Sequence, residues 1–215
     1  MAAREKIAEQ LTSPANLPKP TWEHSGSHFL GHIVRVLFKE IWAVVLRYIV
    51  YRGNKVCYLR HRGVRIGKDC DILTSAQHFG TEPWLVELGN RVTITEGVSF
   101  LTHDGSNRVF RHVLPNSSRW GNRFGPIKVL DNCFIGVNSI IMPGVQIGPN
   151  SIVGAGSVVN KDVPPKTVVA GVPAREICTL DEYVERYTEK MVPIASSDRQ
   201  GLRRELTQRF WGETR

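Results

Sequence analysis

Between residues 129 and 164 the chain repeats an apolar beat every six residues: VLDNCF, IGVNSI, IMPGVQ, IGPNSI, VGAGSV, VNKDVP. The first column is Val129, Ile135, Ile141, Ile147, Val153 and Val159, all β-branched. The fourth is Asn132, Asn138, Gly144, Asn150, Gly156 and Asp162, residue types that tolerate positive φ. The fifth is Cys133, Ser139, Val145, Ser151, Ser157 and Val163, all small. An inward wedge followed three residues later by a tight corner predicts short strands joined at corners. Stacked, such hexapeptides form a parallel β-helix.

A weaker beat runs upstream through Ile66, Ile72, Leu88, Ile94 and Phe100. Leu88 is out of step with Ile66, which predicts an insertion of four residues around Thr81–Trp84. Val129 is out of step with Phe100, so a segment is extruded between His103 and Pro126.

The flanks obey other rules. Residues 1–27 are polar and carry Pro14, Pro18 and Pro20, which suits a frayed, extended N-terminus. Residues 28–60 contain an amphipathic helical segment. In its 28–51 portion His28, His32, Arg35, Lys39 and Arg47 share one stripe on an apolar background. That helix packs on protein, or it lies in an anionic membrane surface; it is too interrupted by charge to span one. The β-helix occupies 61–172, with its loop at 104–126. Residues 173–215 form a C-terminal helical extension. Thr179 and Glu182 make a capping box, and Leu180, Tyr183, Val184, Tyr187 and Met191 recur at helical spacing. Leu202, Leu206 and Phe210 suggest a second helix.

Composition adds little to the fold and something to the function. The net charge of +8 over 215 residues favours an acidic partner: a phosphorylated small molecule, anionic lipid or nucleic acid. The four cysteines, Cys57, Cys70, Cys133 and Cys178, form no C-x-x-C pair, which argues against structural zinc. Scattered thiols and an N-terminus without an apolar export signal point to the cytoplasm, with peripheral contact on the inner face of the membrane if 28–51 binds lipid.

The stretch IGVNSIIMPGVQIGPNSIVGAGSVVNKDVPPKTVVAGVPAR resembles the hexapeptide-repeat acyltransferases, most closely the O-acetyltransferases of bacterial sugars and surface polysaccharides. The likeness covers roughly residues 64–178. It implies an all-β core, a left-handed parallel β-helix, and a homotrimer with active sites between subunits. Acetyl-CoA is the implied co-substrate, and no metal is implied. The implied acceptor is a hydroxyl on a sugar, nucleotide sugar or lipid-linked glycan. An N-acetyltransferase of an amino nucleotide sugar or antibiotic, and a scaffold or nucleic-acid-binding β-helix, are the other readings of the pattern; nucleic acid is not expected.

The resemblance makes His103, at the corner before the extruded loop, the general base, because histidine as a side-chain type accepts protons near neutral pH. A surface histidine at a turn is the plainer reading. Asp104 orients that imidazole, hydrogen-bonds the acceptor, or simply forms the D-G-S turn. Matching positions assign Phe134, Ala155, Asn160, Lys161 and Arg175 to CoA, the two cations meeting its phosphates. Arg108, Arg111, Trp120 and Arg123 of the loop suit an acceptor sugar carrying phosphate. No activated serine or cysteine nucleophile is evident, so direct attack without an acyl-enzyme is expected.

Overall fold

The computed structural model describes residues 41–42, 53–113 and 121–212. The polar N-terminus, all of segment 28–51 except residues 41–42, and Trp120 therefore lie outside the described residues.

Helix α1 (Lys55–His61) starts at Asn54, whose side chain accepts from the Cys57 N–H. It buries Tyr58 and Leu59. Lys55 Nζ donates to the carbonyls of Ile72 and Leu73, and Arg60 Nη2 to those of Ile66 and Gly67. These cations satisfy carbonyls that the first coil has no preceding coil to pair with.

The coils follow. One ladder stacks β1 (Arg65–Ile66), β3 (Val86–Leu88), β8 (Ile127–Val129) and β11 (Gln146–Ile147). A second stacks β2 (Asp71–Ile72), β4 (Thr93–Ile94), β9 (Phe134–Ile135), β12 (Ile152–Val153) and β14 (Thr167–Gly171). A third stacks β5 (Ser99–Phe100), β10 (Ile140–Ile141) and β13 (Val158–Val159). All these pairings are parallel. The chain thus winds around a three-sided prism, one strand per side.

Side chains of the first hexapeptide column fill the prism axis, and every one of the six is buried. The small fifth column is buried beside it. Of the fourth column, Asn132, Asn138, Gly144, Asn150 and Gly156 have positive φ, as expected. Asp162 departs from the pattern: its Oδ1 instead accepts the Gln146 N–H. Burial pushes the Cys133 thiol up, as suits a core residue and not a nucleophile.

The C-terminal extension begins with a strand, ahead of the helices expected from Thr179 onward. β15 (Ala174–Thr179) folds back antiparallel on β14 and covers its edge. Helix α3 (Leu180–Thr188) follows, with the expected capping box. Helix α4 (Arg199–Trp211) ends the described chain. Helix α2 (Asn107–Val113) lies within the extruded loop.

Candidate active site

The two breaks in the hexapeptide rhythm occur at one corner of the prism. Phe100, Ile141 and Val159 stand in register in the third ladder. Residues three places on, His103, Gly144 and Asp162, therefore occupy stacked corners between the third ladder and the first. In the coil before, a 3-10 turn (Ala76–Phe79) replaces the third-side strand, and its buried Phe79 stacks on Phe100 at 4.8 Å. The segment of the expected insertion, Thr81–Trp84, follows Gly80 and runs into a second 3-10 turn at Pro83–Leu85. Gly80 has φ of +71°, and a Cβ there would sit 3.0 Å from the Phe100 carbonyl oxygen. Only glycine turns the chain outward so close to the coil. The insertion thus lands beside the corner that carries His103.

There the structure forms a contact between residues 21 positions apart. His103 Nδ1 lies 2.9 Å from Glu82 Oε2. The same oxygen accepts from Thr102 Oγ1 at 2.7 Å, and Oε1 accepts from Thr81 Oγ1 at 2.8 Å. A carboxylate can only accept, so the imidazole carries its proton on Nδ1 and leaves Nε2 with a lone pair whenever the ring is neutral. Partial burial pushes the Glu82 carboxyl up, but hydrogen bonds from Thr102, His103 and Thr81 outweigh that and hold it below the ordinary glutamate range. The stability contributed by Glu82 is therefore fully present above its unfolded pKa and is lost as pH falls through the lower folded value. Glu82→Gln should flatten part of the loss of stability as pH falls from about 5 to about 3. Urea midpoints of both proteins across that range check this.

The loop neck completes the corner. β6 (His103–Asp104) pairs antiparallel with β7 (Arg123–Phe124), placing His103 opposite Phe124 with ring centroids 5.6 Å apart. Gly125 then returns the chain against the next coil, where a Cβ would meet Gly144 N at 2.5 Å. Asp104 does not hydrogen-bond His103. Its Oδ1 accepts the Ser106 N–H at 2.8 Å, and that bond is the main reason its carboxyl sits low, with Arg123 and His103 adding attraction. Asp104 forms the turn, and Glu82 is the carboxylate that meets His103 Nδ1.

The other candidates divide between two corners. Asn160 and Lys161 lie on the exposed turn leading to Asp162, at the corner of His103. Lys161 and Arg175 line one cavity of about 250 Å³ at the C-terminal end of the prism, with Asp162, Pro164 and Glu176 on its walls. Ala155 lies elsewhere, exposed at the corner between the second and third ladders beside exposed Val137. Phe134 is exposed on the outer face of the second ladder. Within one chain, then, Phe134 and Ala155 do not share a corner with His103. In the loop, Arg108 and Arg123 are exposed, and the Arg111 side chain lies outside the described residues. His78, on the 3-10 turn of the preceding coil, bonds Thr74 Oγ1 through Nδ1. No group of three or more His, Cys, Asp and Glu among the described residues could hold a metal ion.

Comparison with known proteins agrees with the coil geometry. A family model described as the hexapeptide repeat of succinyl-transferase matches residues 126–161. Protein CapG of Staphylococcus aureus is 46% identical over 132 residues, 61% of this chain and 74% of that protein. Galactoside O-acetyltransferase of Escherichia coli (strain K12) is 46% identical over 72 residues, 34% of this chain and 36% of that protein. Among solved structures, a galactoside acetyltransferase in complex with coenzyme A matches at TM-score 0.48 and 21% identity, covering 69% of this chain and 82% of that one. With 46% identity extending over three quarters of CapG, and the repeat itself matched, this chain belongs to the hexapeptide-repeat acyltransferase family.

Proposed function

We propose that the chain is an acetyl-CoA-dependent O-acetyltransferase acting on a hydroxyl of a bacterial surface polysaccharide or its sugar precursor. The observation that carries this is the His103–Glu82 contact of 2.9 Å at an open corner of the prism. It fixes the tautomer of the imidazole's neutral form, with Nε2 left to act as base. His103 Nε2 takes the acceptor's hydroxyl proton as the oxygen attacks the thioester carbonyl. The resulting tetrahedral species expels the CoA thiolate, which takes the proton back from Nε2. Glu82 keeps Nδ1–H in place and offsets the positive charge that the imidazole carries between those two transfers.

Family membership supports a left-handed prism and acetyl-CoA as donor. Lys161 and Arg175 offer two cations around one cavity for the phosphates of CoA. The separation of Ala155 and Phe134 from the His103 corner supports a homotrimer, in which one copy's histidine faces the neighbour's pantetheine wall. Exposed Arg108 and Arg123 beside the corner favour an acceptor bearing phosphate.

Lys161→Ala and Arg175→Ala should each raise the KM for acetyl-CoA about tenfold, with kcat within about twofold, because a phosphate contact is made equally in ground and transition states. Steady-state kinetics of thiol release with a nucleotide-sugar or lipid-linked glycan acceptor tests this. Unchanged KM in both variants removes the phosphate assignment.

A further inference from the structure

Helix α4 plays no part in the proposed site, and its two sides carry different contacts. Its N-cap Asp198 accepts from the Gln200 and Gly201 N–H groups. Its one acid within the helix, Glu205, accepts from the Ala195 N–H and from the Ser196 hydroxyl. The preceding segment, Val192–Ile194, meets Glu205, Leu206, Gln208 and Arg209 across a shared cavity. That segment runs along one side of the helix, where Glu205 and Leu206 are partly covered and Gln208 and Arg209 stay exposed.

The other side is left open. At roughly 100° per residue, Arg199, Gln200, Arg203, Arg204, Phe210 and Trp211 fall within one arc of about 140°, together with the partly covered Thr207. Glu205 and Leu202 project on the opposite half. The three arginines of the arc are exposed, and Phe210 and Trp211 are 61% and 78% exposed. The open face of α4 therefore carries three cations, two large aromatic rings at one end, and no acid. Aromatic residues left this bare cost free energy in water, and the hexapeptide core does not need them.

We propose that this face of α4 is an interfacial anchor for an anionic lipid bilayer. Arg199, Arg203 and Arg204 meet lipid phosphates, while Phe210 and Trp211 enter the headgroup boundary, where aromatic rings are favoured. Charge complementarity selects this occupant, since the only acid within α4 is spent on the covered side. A single-stranded nucleic acid would need a groove or sheet platform to splay its bases, and a convex helix face offers neither. The inference is independent of the acyl-transfer reading and uses none of its residues.

The test is sedimentation of the full-length protein with vesicles of phosphatidylcholine alone and of phosphatidylcholine mixed with phosphatidylglycerol. Binding should require the anionic lipid and weaken with salt. The variant R199Q/R203Q/R204Q should lower the vesicle partition coefficient by about a hundredfold, near fivefold per arginine. F210S/W211S should keep the salt-sensitive binding but lower the coefficient by at least about tenfold. Both variants should keep the wild-type urea midpoint. Wild-type protein that ignores anionic vesicles overturns the proposal, as do variants that bind like wild type. Variants that change only oligomeric mass would assign the face to a second copy of the chain. Salt-sensitive binding to single-stranded RNA in place of vesicles would assign it to nucleic acid. Either result also overturns the proposal.

Discussion

His103→Ala is expected to lower acetyl turnover by about 10²–10⁴, the usual loss when a positioned general base is removed. Acetyl-CoA affinity should stay near the wild-type value, because Lys161 and Arg175 lie at the far end of the prism from the His103 coil. Glu82→Gln makes the companion variant. An amide in that position can offer its NH₂ to Nδ1 and stabilise the wrong tautomer, the defect seen when the carboxylate of a catalytic triad is replaced by an amide. Its loss should therefore fall on kcat and not on the KM for acetyl-CoA. If His103→Ala retains near-normal turnover, the base lies elsewhere. If only Glu82→Gln does, the carboxylate is structural. The urea midpoints of both variants separate a chemical effect from a folding one.

Phe100→Ala is expected to cost about 3–5 kcal/mol of folding stability, the range for deleting a fully buried aromatic ring. Phe100 is completely buried and stacks on Phe79 at 4.8 Å. It is also three residues before His103, while Phe79 is three residues before Glu82. The aromatic pair thus ties together the two chain segments that carry the candidate dyad. A cavity there should loosen the His103–Glu82 contact as well as the core, so turnover under folding conditions should fall too. Ile147→Val, elsewhere on the prism axis, should cost only about 0.5–1.5 kcal/mol and leave turnover unchanged. Urea denaturation of the two variants, paired with their rates, checks that the coupling is specific to Phe100.

The hexapeptide columns make most of the coil legible in the sequence, because one class of residue recurs at each structural position. Val129 through Val159 needed no long-range information to be placed on the axis. The two irregularities were legible as well, as counts out of step. What the counts did not show is that both breaks fall at the same corner. Each is local in sequence, and only the winding of the coil brings Thr81–Trp84 over His103. Glu82 was missed for that reason: an acid in a presumed insertion has no periodic neighbour to suggest a partner. Asp104 attracted the orienting role by adjacency, but adjacent strand residues point to opposite faces, and its carboxylate turns back to Ser106. The C-terminal strand β15 was hidden by the helical pattern that follows it. Phe210 was grouped with Leu202 and Leu206 by spacing, yet only the two leucines lie partly covered. Helical spacing identifies neighbours on a cylinder, not which of them the rest of the chain covers.

The measurement that bears most directly on the account is acetyl transfer itself. Pure wild-type protein and His103→Ala would each be incubated with acetyl-CoA and a panel of nucleotide sugars and lipid-linked glycans, and the acceptors then weighed by mass spectrometry. The account predicts an added acetyl mass on a hydroxyl of at least one sugar with wild-type protein, and its near-absence with His103→Ala over the same time. Equal transfer by both proteins, or acetylation confined to an amine, would contradict it.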